Sequence, residues 1–410
     1  MGREPETIVV VGGGHAGGSV VAFLRQYGWS GAITLVGAEP IAPYHRPPLS
    51  KAWLKGEADA ASLALRPDSF YTGGGIDLRL GATVIAIDRA GKAVRLNDGE
   101  TIGYDHLILA LGARARKLPV PGAELAGVLE LRTVADADRL KAALGSGRTL
   151  AIIGGGYIGL EAAASARALG AEVTLIEREP RLLARVASPP LSRFFEDFHR
   201  AKGVAIELNA GVERLEGRGG HIAAIRLSDG RAIPCDTVLV GVGAVANDDL
   251  ARACGLPCNN GIEVDLAART PDPAIHAIGD CTLRPLPRYD RIFRLESVPN
   301  AIEQAKQAAA SLCCRPPPAP EIPWFWSDQY DLKLLIVGLN FDYDLAVLRG
   351  DPATRSFACC YLRGGELLAI DCVNNTKDYM AAKKVIADRG HCDVAKLADP
   401  TIPLKETVLS

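Results

Sequence analysis

The sequence predicts an α/β protein in which one strand–turn–helix unit occurs twice, followed by a smaller α+β domain. Two buried, mostly β-branched runs, 7–11 and 149–153, each lead into a glycine-rich turn. Such a run before such a turn is typical of a parallel strand that enters a helix. A proline-rich run at 315–320 then separates these units from a region of alternating strands.

The two glycine-rich turns share one spacing, Gly-x-Gly-x-x-Gly. They read Gly12-Gly13-Gly14-His15-Ala16-Gly17 and Gly154-Gly155-Gly156-Tyr157-Ile158-Gly159. In this motif the first glycine makes a tight turn, the second admits a pyrophosphate, and the third lets helix and strand pack closely. The helix start then offers N–H groups and a partial positive charge to phosphates. The spacing therefore predicts two Rossmann-like dinucleotide sites.

Each motif is followed by an acidic residue about 20 positions on. Glu39 follows the strand at 32–36, and Glu177 follows the strand at 172–176. A carboxylate in this position accepts a hydrogen bond from a ribose hydroxyl. One such motif is weak support for a site, but two complete ones indicate two dinucleotides and hence electron transfer between them.

The elements follow from the hydrophobic pattern. In the first unit, 80–96 alternates like a hairpin with a turn at 98–99, and 104–112 is a buried strand. In the second, we expect a helix at 136–144, a helix after the glycine turn to Leu169, and a strand at 237–240. The chain then returns with a strand at 274–280 and a helix at 299–312. The last region predicts strands at 332–337, 356–362 and 366–371 and a helix at 379–388.

These elements predict three domains. The first is discontinuous, 1–112 and 243–318, and the second, 113–242, is inserted in it. The third is a C-terminal α+β interface domain, 319–410, too small to bind a dinucleotide and expected to cap the site. This is a glutathione-reductase-like architecture.

Charge and composition exclude several classes of function. The 410 residues include 46 Lys and Arg against 48 Asp and Glu, a net charge of −2. We therefore expect no nucleic-acid partner and no membrane surface. No apolar run approaches the roughly 18 residues of a membrane span, and the first seven residues lack a signal-peptide core. These observations favour a soluble cytoplasmic protein.

Ten cysteines are present, the first at Cys235, and no Cys-x-x-Cys occurs. We expect small buried side chains, no metal site and no thiol relay after the first fingerprint. The cysteines without zinc-ligand spacing are Cys254, Cys258, Cys313-Cys314 and Cys359-Cys360.

Further segments, spread over nearly the whole chain, match one family. They are Arg46-Pro47-Pro48-Leu49-Ser50-Lys51, Leu131-Arg132-Thr133, Gly159-Leu160-Glu161, Gly279-Asp280, Glu296-Ser297-Val298-Pro299-Asn300 and Trp324-Phe325-Trp326-Ser327-Asp328-Gln329. On these the chain resembles the FAD-dependent NADH:ferredoxin reductases of bacterial oxygenase systems, of the putidaredoxin reductase type. Rubredoxin reductase and apoptosis-inducing factor are more distant. Leu111 and Ala246 depart from the family pattern, which has Thr and Pro there.

The resemblance implies that the first fingerprint holds FAD and the second holds NADH. The implied FAD-binding residues are Gly12, Gly14, His15, Ala16, Gly17, Glu39, Arg46, Lys51, Val84, Ala110, Gly112, Arg132, Asp280, Glu296, Ser297, Val298 and Trp326. The implied NADH-binding residues are Gly154, Gly156, Tyr157, Ile158, Gly159, Glu161, Glu177, Arg185, Gly241 and Gly243. Asp280 would accept from a ribityl hydroxyl, and the helix capped by Ser297 would aim its positive end at the flavin. A turn aspartate and an ordinary capped helix are the alternatives.

The resemblance also implies the catalytic residues Lys51, Glu161 and Trp326. It places Lys51 and Glu161 near N5 of the flavin, and burying either charge unpaired would be costly. We hypothesise an ion pair that positions and polarises N5 without acting as an acid or base; two unrelated surface charges are the alternative. Trp326 would exclude water at the flavin edge, unless it is only domain-interface core.

The preferred nicotinamide coenzyme follows from Glu177. A carboxylate repels the 2′-phosphate of NADPH and bonds the 2′-hydroxyl of NADH. NADPH is the alternative coenzyme, because Arg178 and Arg181 lie nearby in sequence and an arginine can bind a phosphate.

The electron acceptor is predicted from a run of arginines. Arg284, Arg288, Arg291 and Arg294, with Lys333 as a further candidate, would form a basic rim that steers an acidic ferredoxin. A solvated loop, or arginines held by local acids, is the alternative.

We therefore predict an NADH-dependent FAD reductase that passes electrons to a two-iron ferredoxin, which supplies a haem monooxygenase or a ring-hydroxylating dioxygenase. The ferredoxin complex would be transient and the reductase monomeric. The alternatives are a rubredoxin reductase, an NADH oxidase-type flavoprotein, a quinone reductase, or a redox-switched flavoprotein of the apoptosis-inducing-factor type.

Overall fold

The structure is a computed structural model that describes residues 6–409, and these residues form two compact units. The first unit contains the described residues up to Arg46, with Asp59–Arg114 and Val245–Glu321. The second contains Pro47–Ala58, Ala115–Ala244 and the described residues from Ile322 onward. The short strands Ala113–Ala115 and Ala244–Ala246 lie where the chain passes from one unit to the other.

A five-stranded parallel sheet forms the centre of the first unit. Its strands lie in the order Ile275–Ala277, His106–Leu109, Ile8–Val11, Ile33–Gly37 and Ile76–Leu80. All four residues of the central strand are buried, as expected for a parallel strand covered on both faces. Helices His15–Gln26 and Val298–Leu312 pack together beside the sheet around a core that includes Val20 and Ala305.

Two smaller sheets complete the first unit. One is antiparallel and joins Val84–Asp88, Ala93–Leu96 and Thr101–Gly103, so the predicted hairpin is present and a third strand follows the predicted turn. The other joins Ile262–Glu263, Thr282–Leu286 and Arg291–Phe293. The remaining helices are Ala60–Leu63, Asp68–Gly73, Asp249–Ala253 and the 3₁₀ turn Pro287–Tyr289.

The second unit has its own parallel sheet. Its strands lie in the order Val204–Glu207, Glu172–Ile176, Thr149–Ile153, Thr237–Val240 and Val128–Leu129. The helices around it are Val134–Ala143, Tyr157–Ala168 and Pro189–Ala201, with the 3₁₀ turn Pro47–Ser50 and the short helix Ala52–Lys55. An antiparallel sheet that the sequence analysis missed joins Val212–Arg218, His221–Leu227 and Ala232–Pro234.

The C-terminal part of the second unit is an antiparallel sheet with a helix beside it. The strands lie in the order Trp324–Gln329, Leu332–Gly338, Glu366–Val373, Phe357–Arg363 and Leu345–Arg349. Helix Thr376–Ala387 packs on this sheet, followed by Val394–Ala398 and the 3₁₀ turn Leu404–Thr407; another 3₁₀ turn is Pro352–Thr354. Three of the five strands and the main helix match the predicted elements within a few residues.

One hydrophobic core runs through the second unit. Leu160 and Phe195, beside the parallel sheet, belong to the same buried cluster as Leu334, Phe357 and Tyr361 of the C-terminal sheet. The predicted fold class is confirmed, with two parallel α/β sheets and a C-terminal α+β part. The proline-rich run at 315–320 contains no helix or strand. The three domain boundaries remain a prediction.

None of the helices within residues 6–409 has both the length and the apolar character that crossing a bilayer requires.

Candidate active site

The first glycine turn has a shape in which each glycine is needed for a different reason. A Cβ on Gly12 would lie 2.1 Å from the Ala110 carbonyl oxygen, and one on Gly17 would lie 1.9 Å from the Gly12 oxygen. A Cβ on Gly14 would have its nearest neighbour, the Arg46 Nε, 3.9 Å away. The backbone is therefore closely packed at the first and third glycines and open at the second, which fits a pyrophosphate.

The second glycine turn repeats this arrangement. A Cβ on Gly154 would lie 2.4 Å from the Gly241 oxygen, and one on Gly159 would lie 2.2 Å from the Gly154 oxygen. Nothing within the described chain comes within 4 Å of a Cβ on Gly156. Gly14 and Gly156 are the N-caps of the following helices, and neither helix start has a side-chain cap within residues 6–409. Both turns therefore leave backbone N–H groups for an anion.

The predicted FAD residues of the first unit gather at one edge of its sheet. Gly12, Gly112 and Asp280 follow adjacent parallel strands, which end at Val11, Leu109 and Ala277. Because the carboxyl ends of parallel strands meet at one edge of a sheet, these residues lie at the same edge. Ser297 caps helix Val298–Leu312 by accepting from the Asn300 N–H at 3.2 Å. The expected cap is confirmed; the predicted contacts with flavin remain predictions.

Glu39 and Arg46 form an ion pair in the first unit. The Arg46 Nη2 lies 2.6 Å from the Glu39 Oε1, and the Tyr44 hydroxyl donates to the other carboxylate oxygen at 2.6 Å. The Arg46 guanidinium also lies over the Tyr44 ring. These contacts fix the Glu39 carboxylate, which is predicted to accept a hydrogen bond from a ribose hydroxyl.

Glu177 is fixed in the corresponding place in the second unit. Its two carboxylate oxygens accept from the backbone N–H groups of Gly155 at 2.6 Å and Glu179 at 2.9 Å. Arg181 donates to the carbonyls of Ala184 and Ala187 and to the Ser192 hydroxyl. Both terminal nitrogens of the Arg181 guanidinium are therefore engaged within the chain.

Lys51 and Glu161 form an ion pair in the second unit. The Lys51 Nζ lies 2.6 Å from the Glu161 Oε2, and the Ser50 hydroxyl donates to the same oxygen at 2.5 Å. Glu161 is 2% exposed and Lys51 18%. The predicted pairing of these two charges is present in the structure; its proposed role at N5 remains a prediction.

Three side chains that sequence reasoning missed extend this ion pair. The Ser327 hydroxyl donates to the Glu161 Oε1 at 2.7 Å, and the Gln329 amide donates to the Ser327 Oγ at 3.1 Å. The His199 Nε2 lies 2.8 Å from the Gln329 Oε1. Burial lowers the pKa of His199, so its ring is neutral at pH 7. No local motif could reveal these contacts, although Ser327 and Gln329 lie inside a family-like segment.

Strand Trp324–Gln329 presents its side chains alternately to two faces. Trp324 and Trp326 stack with ring centroids 5.6 Å apart and pack against the C-terminal core. Phe325 lies 5.1 Å from the ring of Tyr157, at the start of the helix after the second glycine turn, and Ser327 bonds Glu161. Phe325 is thus one of the aromatic side chains that join the two parts of the unit.

The other predicted residues have varied surroundings. Val84 belongs to the buried core of the first unit, and the His15 ring lies edge-on to His45. Arg132 and Trp326 lie in the second unit. The Arg185 side chain is exposed, and its Nη2 lies 3.9 Å from a Cβ built on Gly243. Val298 begins the helix capped by Ser297 and follows Glu296, which pairs with Arg294.

The two glycine turns differ in the exposure of the residue before their third glycine. Ile158 in the second turn is exposed, whereas Ala16 in the first turn is buried.

The predicted basic rim is wrong for two of its four arginines, which follow the stated alternative and are held by local acids. Arg284 is 2% exposed and pairs with Glu303, because the side chain enters the unit between strand and helix. Arg294 is 11% exposed and pairs with Glu296, which argues against a docking role. Arg291 is exposed, next to Ile292 and Phe293, which are 67% and 39% exposed. Arg288 is half-buried and Lys333 is exposed.

The cysteines are mostly core residues, as predicted. Six of the ten are buried and none forms a disulfide within the described chain. Burial raises the pKa of Cys235, Cys281 and Cys359 to about 12, so these thiols stay protonated. Residues 6–409 contain no cluster of three or more His, Cys, Asp or Glu side chains placed to hold a metal.

Another buried acid lies in the C-terminal sheet. Asp371 accepts a hydrogen bond from the Tyr361 hydroxyl, and burial raises its pKa to about 7. The Ser188 N–H donates to the same hydroxyl oxygen at 2.9 Å.

Comparison with known proteins agrees with this geometry. Residues 6–305 match the model of the pyridine nucleotide-disulphide oxidoreductase family, and residues 324–408 match the reductase C-terminal domain. A probable ferredoxin reductase, CtmF, of Castellaniella defragrans is 50% identical over 97% of this chain and 97% of its own. The crystal structure of the covalent putidaredoxin reductase–putidaredoxin complex superposes with a TM-score of 0.96 at 42% identity, covering 99% of this chain and 98% of that one. A rubredoxin–NAD⁺ reductase of Pseudomonas putida is 40% identical over 90% of this chain and 96% of its own.

The fold and the two glycine cradles define an oxidoreductase that uses FAD and a nicotinamide nucleotide. The chain belongs to the pyridine nucleotide-disulphide oxidoreductase family, in its ferredoxin reductase branch. Despite the family's name, the first cysteine of this chain is Cys235, far beyond the segment after the first fingerprint.

Proposed function

We propose that the protein carries electrons from NADH through FAD to a two-iron ferredoxin, which in turn supplies an oxygenase. The observation that supports this most is the pair of glycine cradles, each closed at its first and third glycines and open at Gly14 and Gly156. Two such cradles on one chain suit two dinucleotides. FAD, when bound, takes a hydride from NADH and releases electrons one at a time.

The residues of the chain bind and orient the reactants. Lys51 and Glu161 present a paired charge rather than a free acid or base, because Glu161 accepts from Lys51, Ser50 and Ser327 together. Hydride transfer needs no proton donor, so a fixed pair suits it better than a titrating group. We assign to Trp326, whose ring is held by Trp324, the exclusion of water from the coenzyme.

NADH is the proposed donor. Glu177 is fixed by two backbone N–H groups and cannot turn away from a 2′-phosphate without losing them. Arg178 is 83% exposed and lies 3.2 Å from Glu179, and Arg181 is already bonded. A like-charge contact costs several kcal/mol, so we expect kcat/KM for NADH to exceed that for NADPH by roughly 100-fold.

We propose that ferredoxin docks on the surface of the first unit formed by Arg288, Arg291, Ile292 and Phe293; Lys333, which belongs to the second unit, stays a separate prediction. An apolar centre beside cations suits a transient complex with an acidic protein, with the cations acting on the rate of encounter. If this surface steers the partner, ferredoxin reduction should slow as salt rises. A rate independent of salt would exclude the steering role. We further propose a monomeric, cytoplasmic enzyme, and a single species of about 43 kDa in sedimentation would support the monomer.

The test is an anaerobic titration of the purified protein with NADH, followed by visible spectroscopy. We expect bleaching of a flavin band with one equivalent of NADH, and cytochrome c reduction that requires added ferredoxin. A colourless protein that cannot be loaded with FAD would overturn the proposal.

Rubredoxin is the second candidate acceptor, because a rubredoxin reductase is among the similar proteins. Parallel assays with a two-iron ferredoxin and a rubredoxin separate the two. Rapid cytochrome c or oxygen reduction without either carrier would instead favour an oxidase.

A further inference from the structure

We infer that Ser327 is a positioning residue for hydride transfer, because it orients the Glu161 carboxylate that holds Lys51. This inference rests on the proposed function, in which the Lys51–Glu161 pair serves the flavin. Ser327 is fully buried and lies in a strand of the C-terminal sheet, 166 residues from Glu161 in sequence.

Each oxygen of Glu161 has its own donors. Lys51 and Ser50 donate to Oε2, at 2.6 and 2.5 Å, and Ser327 donates to Oε1 at 2.7 Å. Without Ser327, Oε1 would lose the one donor that the described chain gives it, in a side chain that is 2% exposed. The carboxylate could then rotate, and the Lys51 ammonium would follow it. A shift of about 1 Å in a positioned group can cost roughly 10²-fold in rate.

The hydrogen bonds that lead to Glu161 all donate in one direction, from His199 through Gln329 and Ser327. A hydroxyl has one proton, and the Gln329 amide donates to the Ser327 oxygen at 3.1 Å, so the Ser327 proton points to Glu161. The neutral His199 ring supplies the matching donor to the Gln329 carbonyl at 2.8 Å. His199, Gln329 and Ser327 are all fully buried. Such a chain of buried hydrogen bonds holds a single orientation more firmly than one bond does.

The test compares Ser327→Ala, Ser327→Thr and the matched control Ser188→Ala in the FAD-loaded enzyme. Ser188 is an equally buried hydroxyl of the same unit with no bond to Glu161. Stopped-flow reduction by NADH gives the limiting rate of flavin reduction and the NADH dissociation constant separately. We expect Ser327→Ala to lower the limiting rate about tenfold with the dissociation constant unchanged. Ser327→Thr should restore the rate, and Ser188→Ala should leave it unaltered.

A double-mutant cycle then asks whether Ser327 acts through Glu161. In a Glu161→Ala background, Ser327→Ala should leave the limiting rate unchanged, although the denaturation midpoint should still fall because the buried Gln329 amide loses its acceptor. Equal effects with and without Glu161 would overturn the inference, as would a wild-type rate in Ser327→Ala. If NADH fails to reduce the wild-type flavin at all, the proposed function fails instead, so the two failures are distinct.

Discussion

Replacing Lys51 by Met tests both the stability and the chemistry of the buried ion pair. Met keeps the unbranched side chain as far as Cε but removes the ammonium group that lies 2.6 Å from the Glu161 carboxylate. Breaking a buried pair costs about 3–5 kcal/mol, because the remaining charge is left uncompensated. Two hydroxyls still donate to Glu161, so we expect the lower end, about 3 kcal/mol of unfolding free energy. Flavin reduction by NADH should slow as well.

A second substitution separates these two effects. Adding Glu161→Gln to Lys51→Met removes the uncompensated charge, so the double variant should recover most of the unfolding free energy that Lys51→Met loses. Flavin reduction should stay slow, since the paired charge is still missing. Urea denaturation and anaerobic stopped-flow absorbance measure the two quantities on the same samples. The reasoning is refuted if Lys51→Met is as stable as wild type and reduces its flavin at the wild-type rate.

Three further predictions concern other parts of the chain. Gly156→Ala should leave the denaturation midpoint unchanged, because its φ of −84° suits any residue and a Cβ there has no described atom within 4 Å. It should weaken NADH binding at least tenfold, because the Cβ would enter the space that we propose for the pyrophosphate; tight binding by isothermal titration would contradict this. For Asp371, whose pKa burial raises to about 7, the unfolded chain ionises first, so stability falls as pH rises from about 4 to 7. Asp371→Asn should remove that loss, so its free energy of unfolding at pH 8 should exceed that of the wild type by at least about 1 kcal/mol. Urea titrations at pH 5 and pH 8 measure this, and parallel pH profiles for the two proteins would contradict it. Arg284→Met should lower the denaturation midpoint without changing KM for ferredoxin, whereas Arg291→Ala should raise that KM and flatten its salt dependence without affecting stability; the reverse pattern would place Arg284 on the docking surface.

The strands and helices around the glycine turns were predictable because their signals are local. Runs such as Ile8–Val11 and Thr149–Ile153 are apolar throughout, and the turns carry their glycines at fixed spacing. The antiparallel sheet from Val212 to Pro234 was missed, although Gly219-Gly220 and Asp229-Gly230 separate its strands. Its strands mix exposed and buried residues without clean alternation, so periodicity gave little signal.

The candidate site was predictable only in part, for a different physical reason. Lys51 and Glu161 were proposed as partners from family-like segments, and their contact spans 110 residues of sequence. The burial of Arg284 depends on Glu303, 19 residues on, in the helix that follows. Arginines spaced along a short segment look alike in sequence, whether they face solvent or an acid inside the fold. Long-range pairing decides which, and a single sequence does not contain it.

The C-terminal part of the chain does more than cap a site built elsewhere. Its sheet shares a buried core with the parallel sheet of the second unit, where Phe357 packs against Phe194 with ring centroids 4.8 Å apart. Its first strand also supplies the hydroxyl that bonds Glu161. The charge that holds Lys51 is therefore set by three segments that lie far apart in sequence: the turn before Lys51, the helix after the second glycine turn, and strand Trp324–Gln329. Because losing either Lys51 or Ser327 leaves the buried Glu161 carboxylate short of a donor, the C-terminal part is joined to the Lys51–Glu161 pair by a hydrogen bond as well as by packing.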